Sequence, residues 1–364
     1  MKDKKMRSII LLLISFFLLL ACTEEKIVTV EVIKENSWIE VKGLRYKDKI
    51  TLSSGSYENS LYFQHPNYFT EISQNKIKKS FNLDMPDNFD FKLPISQGII
   101  VCPYSLLFPI PDTDILVTNL KADDEKNLLI NLKEIDSSFK NVVSPFYSKW
   151  MAINKKRQIL LQYSSNTQND EVKLMLLNIA TKNEQDPVKN IALTGSKTIS
   201  IKIDRLDDTK NPIFMIAIDD YFLVQWKERN FYKIYSDGSF KKLESNENFE
   251  VIKYNNDIIA YSYYKLYISK DNGENWQPLA VLNNFSYDVD FYNIQDSLIY
   301  TYMDKIYTMS FQNDLVYSRE LKNDGLEDRY ISGIEVLYDT VYVATYAGIF
   351  KKSINKFFES KINN

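Results

Sequence analysis

Short apolar runs recur along the chain, each following an aspartate or a turn sequence. They are ILVTN from Ile115, ILLQY from Ile159, FLVQW from Phe222, IIAYS from Ile258, LIYTY from Leu298 and VYVAT from Val341. By subtraction, their starts lie 44, 63, 36, 40 and 43 residues apart. An interval near 40 residues therefore repeats, and one interval, from Ile159 to Phe222, is longer.

Each repeat contains more than one such run. An aspartate sits at or just before the apolar run, a second run such as KLYIS from Lys265 follows after a short turn, and a further strand pattern such as YDVDFYNIQ precedes Asp296. Turn signals every 8–12 residues are typical of all-β domains. Four short strands in about 40–45 residues is the period of a β-propeller blade. The pattern predicts an all-β fold, a β-propeller of four-stranded blades.

The number of blades follows from counting these units. Six are visible from Ile115 onward, and the segment from Ile27 to Pro111 is long enough for one more blade and a closing strand. The stretch IVTVEVIKE from Ile27 alternates as a strand would. We predict seven blades, with six or eight as alternatives. The best helical competitor, NLLINLKEIDSSFKNVV from Asn127, is interpreted as two strands joined by a polar turn.

The N-terminus has the three parts of a bacterial export signal. Four basic residues precede an apolar run from Ile9 to Ala21, which ends in LLAC, Leu19 to Cys22. That ending resembles the lipobox of bacterial lipoproteins, which implies cleavage before Cys22, lipidation of Cys22 and stable anchoring by two or three acyl chains. An uncleaved signal anchor and a plain secretory signal with a chance cysteine are the alternatives. We predict a signal peptide at 1–21, a lipidated tether at 22–30 and one propeller domain at 31–364.

The residues that follow Cys22 bear on the cellular location of the protein. Glu24 and Glu25 form a short acidic stretch, which is similar to the signals that send some Gram-negative lipoproteins to the outside of the outer membrane. An ordinary charged tether is the alternative. We expect a lipid-anchored location in the cell envelope, with the outer membrane and its outer surface favoured.

Composition removes several function classes. The formal charge is −3, and without residues 1–21, which carry four basic groups and one acidic group, it is −3 − 3 = −6. An acidic chain without basic blocks argues against nucleic-acid binding. If Cys22 carries lipid, Cys102 has no intrachain partner, so the core depends on burial and not on disulfides. We predict a monomer without cofactor, and no later segment is apolar enough to span a membrane.

The stretch SKDNGENWQPL, Ser269 to Leu279, spaces a serine, an aspartate, a glycine and a tryptophan in a recognisable order. It resembles the Asp box of BNR-repeat, sialidase-like propellers. An Asp carboxylate can accept turn N–H groups, Gly can take a positive φ, and Trp can pack across the hairpin. The resemblance implies a structural turn between the third and fourth strands, on the outer rim and away from the ligand face. The four residues concerned are Ser269, Asp271, Gly273 and Trp276, with a partial echo at Ser236, Asp237 and Gly238.

Catalytic motifs are scarce. The sialidases of that family hold their substrate with an arginine triad that begins in Arg-Ile-Pro, and this motif is absent, which makes sialidase activity an unfavoured reading. His65 is the single histidine and is interpreted as a loop residue, while Cys102 reads as a buried strand residue, so no metal site is predicted. Carboxylate pairs could support glycoside hydrolysis but are more typical of solvated turns. They are Asp123–Asp124, Asp207–Asp208 and Asp219–Asp220.

Two functions remain open. The first is a non-enzymatic propeller that binds a glycan or protein partner at its central face. The second is a divergent carbohydrate-active enzyme with two carboxylates at the propeller centre. Carboxylates about 5–10 Å apart in the central funnel would favour the enzyme, whereas an aromatic or mixed polar funnel would favour the binding protein.

Overall fold

The computed structural model describes most of the chain from Ser37 onward. The described ranges are 37–44, 50–66, 68–74, 76–82, 92–103, 113–120, 126–142, 151–165, 171–181, 191–203, 212–226, 230–243, 250–262, 265–281, 289–312 and 315–361. The predictions for the signal peptide, Cys22, the tether and the strand from Ile27 lie outside these residues, as do Asp123–Asp124 and Asp207–Asp208. Within the described ranges, no helix combines the length and the apolar character needed to cross a membrane.

The regular secondary structure of the described residues is almost entirely β-strand. The strands are β1 (Ile39–Glu40), β2 (Ser53–Tyr57), β3 (Ser60–Gln64), β4 (Tyr68–Ser73), β5 (Lys76–Asn82), β6 (Ile95–Ser96), β7 (Ile99–Pro103), β8 (Asp114–Asn119), β9 (Lys126–Asn131), β10 (Phe139–Val142), β11 (Met151–Ile153), β12 (Gln158–Ser165), β13 (Glu171–Ala180), β14 (Ala192–Lys202), β15 (Phe214–Ile218), β16 (Tyr221–Trp226), β17 (Asn230–Ile234), β18 (Phe240–Leu243), β19 (Glu250–Tyr254), β20 (Asp257–Ser262), β21 (Lys265–Ser269), β22 (Gln277–Val281), β23 (Val289–Ile294), β24 (Ser297–Tyr302), β25 (Lys305–Gln312), β26 (Leu315–Glu320), β27 (Ile331–Leu337), β28 (Thr340–Thr345) and β29 (Gly348–Ser353). Two one-turn helices complete them, α1 (Leu132–Ile135) and α2 (Ile354–Phe357).

Consecutive strands pair antiparallel in groups, which we number as meanders 1 to 7. Meander 1 is β2–β5, meander 2 is β6–β9, meander 3 is β10–β14, meander 4 is β15–β18, meander 5 is β19–β22 and meander 6 is β23–β26. Meander 7 is β27–β29 completed by β1, which pairs with β29. Meanders 5 and 6 are also joined at their outer edges into one eight-stranded sheet, because β22 pairs parallel with β26. The predicted all-β architecture of four-stranded sheets is confirmed. The number of blades in the whole chain stays a prediction. The described residues form seven meanders, in agreement with the seven blades predicted.

Three details differ from the simple repeat pattern. Ile115 lies in β8, the third strand of its meander, whereas the other five apolar runs lie in second strands. The second strand there is β7, an equally apolar run. In meander 3, β10 and β11 both pair with β12 as one interrupted first strand, so this meander has five strands. The stretch from Asn127 does hold two strands, β9 and β10, but α1 lies between them where only a turn was expected.

The core is a ring of apolar clusters, each shared by two consecutive meanders. Strand side chains alternate between the two faces of a sheet, so each meander can pack on both neighbours. Phe222 and Trp226 of meander 4, for example, pack on Ile199 of meander 3. One cluster joins meanders 6 and 7, and another joins meander 7 back to meander 1. Burial between sheets, without disulfides, therefore closes the ring.

First strands line the inside of the ring. Strand β2 lies against β27 on one side and β6 on the other, and β15 lies between β11 and β19. Gly333 permits the closest of these approaches, because a Cβ there would overlap Ser54 Oγ. We call the end at which first strands finish and second strands begin the hairpin end. The opposite end, at which second strands finish and third strands begin, is the crossover end.

Candidate functional site

A carboxyl group lies between two first strands on the inside of the ring. Glu335 is on β27, and Ser54 Oγ of β2 donates a hydrogen bond to Glu335 Oε1 at 3.1 Å. The Ser56 hydroxyl also hydrogen-bonds to Glu335, but burial outweighs both bonds and raises the pKa of Glu335 to about 7. This carboxyl group can therefore hold or release a proton near neutral pH.

A tyrosine and an aspartate face the same region from β23. Tyr292 and Asp290 are two residues apart and so share one face of the strand. Tyr292 is hydrogen-bonded to Thr301, yet its pKa lies well above the usual range because of burial first, and then because of the negative charges of Asp290 and Glu335. Tyr292 keeps its phenolic proton at physiological pH and can donate a hydrogen bond to a ligand.

An ion pair crosses the inside of the ring. Lys92 Nζ of meander 2 lies 3.8 Å from Asp290 Oδ2 of meander 6, with about half of the Asp290 side chain exposed. Meanders 2 and 6 are not neighbours in the ring, so the pair spans the axis. Lys92 leads into β6 and Asp290 lies near the start of β23, which places the pair toward the crossover end.

Two exposed tyrosines stack at the crossover end beside these groups. Tyr330 immediately precedes β27 and Tyr346 lies in the turn after β28; their ring centroids are 5.0 Å apart at an interplanar angle of 26°. Their exposed fractions are 40% and 45%. The Tyr346 N–H donates to Tyr330 O at 3.1 Å, which fixes the two segments together. Tyr330 also raises the pKa of Tyr292, and it directly precedes β27, one of the strands that line the inside of the ring, so the stack adjoins the axis.

Two aliphatic side chains extend this surface on either side. Met303 is 55% exposed, and its backbone carbonyl oxygen accepts the N–H of Ile331, the residue after Tyr330. Ile50, 44% exposed, precedes Thr51, whose N–H donates to Thr345 O beside Tyr346. We call Ile50, Met303, Tyr330 and Tyr346 the rim strip. It runs over meanders 6, 7 and 1.

The hairpin end is crossed by polar contacts between neighbouring turns. Asp219, in the turn after β15, forms ion pairs with Lys155 of meander 3 and Lys253 of meander 5. Hydrogen bonds from those two lysines lower the pKa of Asp219. Asp220 pairs with Lys156 at 3.0 Å. The predicted carboxylate pair Asp219–Asp220 therefore lies in a turn and is neutralised by lysines, an arrangement unsuited to a proton-donating acid.

The Ser269–Trp276 stretch forms the turn between β21 and β22, third and fourth strands of meander 5. Ser269 Oγ accepts the buried Gly273 N–H at 2.8 Å and donates to Asp271 Oδ1 at 2.8 Å. Asp271 Oδ1 accepts the Asn275 N–H at 2.9 Å, and Gly273 has φ +85°. Trp276 is half-buried and packs against Phe231 at 6.1 Å. Ser269 holds the buried donor, and Asp271 holds the turn on its exposed side.

This turn also contacts the preceding meander. Lys233 of β17, only 7% exposed at its side chain, reaches Glu274 Oε1 at 3.1 Å and donates to Asn272 O at 3.0 Å. Its Nζ lies 4.2 Å from the centre of the Tyr221 ring, a cation–π contact. At the echo in meander 4, Lys197 of meander 3 donates to Asp237 O at 2.8 Å in the same manner. Both turns are thus attached to the meander before them.

We expect the Ser269–Trp276 turn to act as scaffold. Ser269→Ala should lower the free energy of unfolding by about 1–3 kcal/mol, because it leaves the Gly273 N–H buried without an acceptor. Asp271→Ala should cost about 1 kcal/mol, since the donor it serves is exposed. Trp276→Ala should cost about 2–3 kcal/mol, less than a fully buried ring. Thermal denaturation checks this order, and loss of ligand binding without a change in melting temperature would contradict it.

The single histidine and the single described cysteine are both buried. His65 lies in the turn after β3. Its Nδ1 donates a hydrogen bond to Ile50 O, and its Nε2 is hydrogen-bonded to the Thr70 hydroxyl, each at 3.0 Å. Cys102 lies in β7, where burial raises the pKa of its thiol. Among the residues that the structure describes, no three His, Cys, Asp or Glu side chains are grouped to hold a metal ion.

Sequence reasoning did not single out the groups at the axis or the rim strip. Glu335 is in YISGIEVLY and Asp290 in YDVDFYNIQ, both recognised only as strand patterns. An ionisable residue within the apolar first strand of a blade was the available signal, because such strands lie nearest the axis. Nothing local distinguishes Tyr330 and Tyr346 from the other tyrosines.

No family model matches the sequence, and no curated protein matches it. Solved structures do match. A streptogramin B lyase is 12% identical with a TM-score of 0.55, covering 86% of this chain and 96% of that one. The fold is a β-propeller. A catalytically inactive virginiamycin B lyase from Staphylococcus aureus with quinupristin is 10% identical with a TM-score of 0.52, covering 86% of this chain and 97% of that one. The extracellular domain of BT4673 from B. thetaiotaomicron is 11% identical with a TM-score of 0.50, covering 87% of this chain and 40% of that one. The Asp-box resemblance stays a prediction.

Proposed function

We propose that this β-propeller is the binding domain of an envelope lipoprotein and takes a glycan or protein partner at its crossover end. The observation that carries the proposal is the exposed stack of Tyr330 and Tyr346 beside the axis. Tyrosine offers a large apolar face with a polar tip and is enriched where proteins bind partners. Contiguous exposed apolar surface marks interaction sites.

Polar groups beside the stack supply the directional part of a binding site. Tyr292 can donate a hydrogen bond and Asp290 can accept one. Lys92 can donate a hydrogen bond from a positively charged group. A few placed polar groups next to apolar and aromatic surface is the usual composition of ligand sites. This mixed funnel favours the binding protein over the enzyme.

The purified full-length protein in detergent, screened on a glycan array and against envelope proteins, tests this function. Any specific ligand of the parent should be lost on Tyr330→Ala or Tyr346→Ala and kept on Tyr317→Ala, which removes an exposed tyrosine from the outer strand β26. A ligand that binds all three variants equally well would place its site elsewhere and reject the proposal.

The anchor is proposed on the LLAC pattern at Leu19–Cys22. Cys22→Ala should move the protein from the detergent phase to the aqueous phase on Triton X-114 partitioning, because a protein without acyl chains has no stable hold on the membrane. Incorporation of labelled palmitate should disappear in the same variant. Continued partitioning of Cys22→Ala into detergent with the signal segment intact would show a different anchor.

A divergent carbohydrate-active enzyme is the second candidate. The pKa of Glu335 is raised to about 7, as is typical of the general acid of a glycosidase. Both Glu335 and Asp290 raise the pKa of Tyr292, so the two carboxyl groups lie in the same region. Release of chromophore from a panel of aryl glycosides, abolished by Glu335→Gln and Asp290→Asn, would support it. A parent protein that releases none would reject it.

The structural similarity to lyases does not make lyase activity a third candidate function. The virginiamycin B lyase variant lacks one histidine and is catalytically inactive. The single histidine of this chain, His65, is buried with both ring nitrogens hydrogen-bonded, so it is not placed to transfer a proton to a ligand.

A further inference from the structure

We propose that the rim strip binds an extended protein segment that presents an apolar side chain next to lysine or arginine. This inference rests on the proposed binding function and names its ligand class. The surface is defined by Ile50, Met303, Tyr330 and Tyr346, with carboxylates along its margin.

The apolar part of the strip favours a protein over a glycan. Two of its four members are aliphatic, and Met303 and Ile50 are each more than two-fifths exposed. A sugar ring stacks on aromatic faces but has little to gain from aliphatic side chains, whereas Met and Tyr together are enriched at protein interfaces. An apolar side chain inserted between Met303 and the tyrosine stack would bury surface on both.

The margin of the strip is acidic. Asp304 directly follows Met303, and Asp328 lies two residues before Tyr330. The Asp328 backbone N–H donates to Asp304 Oδ2 at 3.1 Å, so the two acidic residues are neighbours on this margin. Asp328 is exposed and Asp304 is half-buried. Two adjacent negative charges beside an apolar surface complement a cationic residue beside an apolar one.

The basic side chains next to this margin have other partners. The Arg329 guanidinium donates to Gly325 O and lies 4.8 Å from the centre of the Phe350 ring, so it is turned to the backbone and to an aromatic face. Lys361, which is also close to this margin, forms an ion pair with Glu320 at 2.9 Å. A basic residue of the partner therefore meets carboxylates that these two cations leave available for pairing.

Panning a phage-displayed library of random linear peptides on the full-length protein in detergent tests the inference. Retained peptides should share an aliphatic or aromatic residue flanked by Lys or Arg. A selected peptide, followed by fluorescence anisotropy, should bind about tenfold or more weakly to Tyr330→Ala and to Tyr346→Ala, since central tyrosines are typical hot spots. Asp304→Asn with Asp328→Asn should weaken binding at low salt and flatten its salt dependence.

The matched control is Tyr317→Ala, which should bind the peptide like the parent, and circular dichroism should show every variant folded. Retention of no peptide, acidic consensus peptides, or binding unaffected at Tyr330 and Tyr346 would overturn the inference. Glycan-array binding that depends on Tyr330 while no peptide is retained would keep the proposed function and replace the protein partner with a glycan.

Discussion

Replacing Trp38 with alanine is expected to lower the free energy of unfolding by about 3–5 kcal/mol, as for a fully buried large side chain. Trp38 is 3% exposed, meets Phe357 of α2 edge-on at 6.1 Å, and has Lys352 Nζ 5.5 Å from its ring centre. It lies directly before β1, the strand that completes meander 7. The loss would remove a large part of a typical domain stability of about 5–15 kcal/mol.

Chemical denaturation followed by tryptophan-independent far-UV circular dichroism measures this effect. Ile39→Ala is the matched control, because Ile39 is the next residue, begins β1 and is largely exposed. It should change stability by less than about 0.5 kcal/mol. Equal stability of Trp38→Ala and the parent would mean that the pairing of β1 with β29 does not depend on this anchor.

The second large effect concerns pH and Glu335. Its pKa is raised from 4.5 to about 7 in the folded protein, so the folded state binds this proton more tightly than the unfolded state. The contribution to stability is therefore complete below about pH 4.5 and is lost as pH rises through about 7. A shift of this size corresponds to a contribution of the order of 3 kcal/mol.

Glu335→Gln should remove this dependence, because the amide stays neutral and can still hydrogen-bond to the hydroxyls of Ser54 and Ser56. The variant should match the parent near pH 4 and be more stable at pH 8. Asp219 and Glu274, whose pKa values are lowered, contribute in the opposite direction at acidic pH and cancel in the difference between the two proteins. A difference that stays constant from pH 4 to pH 8 would contradict the burial of Glu335.

The strand pattern was predictable because each blade repeats the same local physics. Short apolar runs that follow turn-forming aspartates indicate strands such as β16, β20 and β24 within the sequence itself. The register of the first unit was harder, since β7 and β8 are both apolar and Ile115 could belong to either kind of strand. The helix α1 was missed because its cap is a local feature that periodicity does not show. Asn131 Oδ1 accepts the N–H groups of Lys133 and Glu134.

The axis and the rim strip depend on ring closure. Ser54 and Glu335 are 281 residues apart in the chain and meet only because meander 7 packs on meander 1. Ile50 and Tyr346 come together by the same closure. The turn at Ser269–Trp276 is local by contrast, and its place between third and fourth strands could be expected from its spacing, whereas its attachment to Lys233 of the previous meander could not.

Site-specific photo-crosslinking in living cells tests the central claim, that the propeller binds its partner at the crossover end through the rim strip. A photoreactive phenylalanine derivative would be placed at Tyr346, and for comparison at Tyr338, an exposed tyrosine of the same meander at the hairpin end. The account predicts a discrete crosslinked product from position 346 and none from position 338. A product from position 338 with none from position 346 would contradict it.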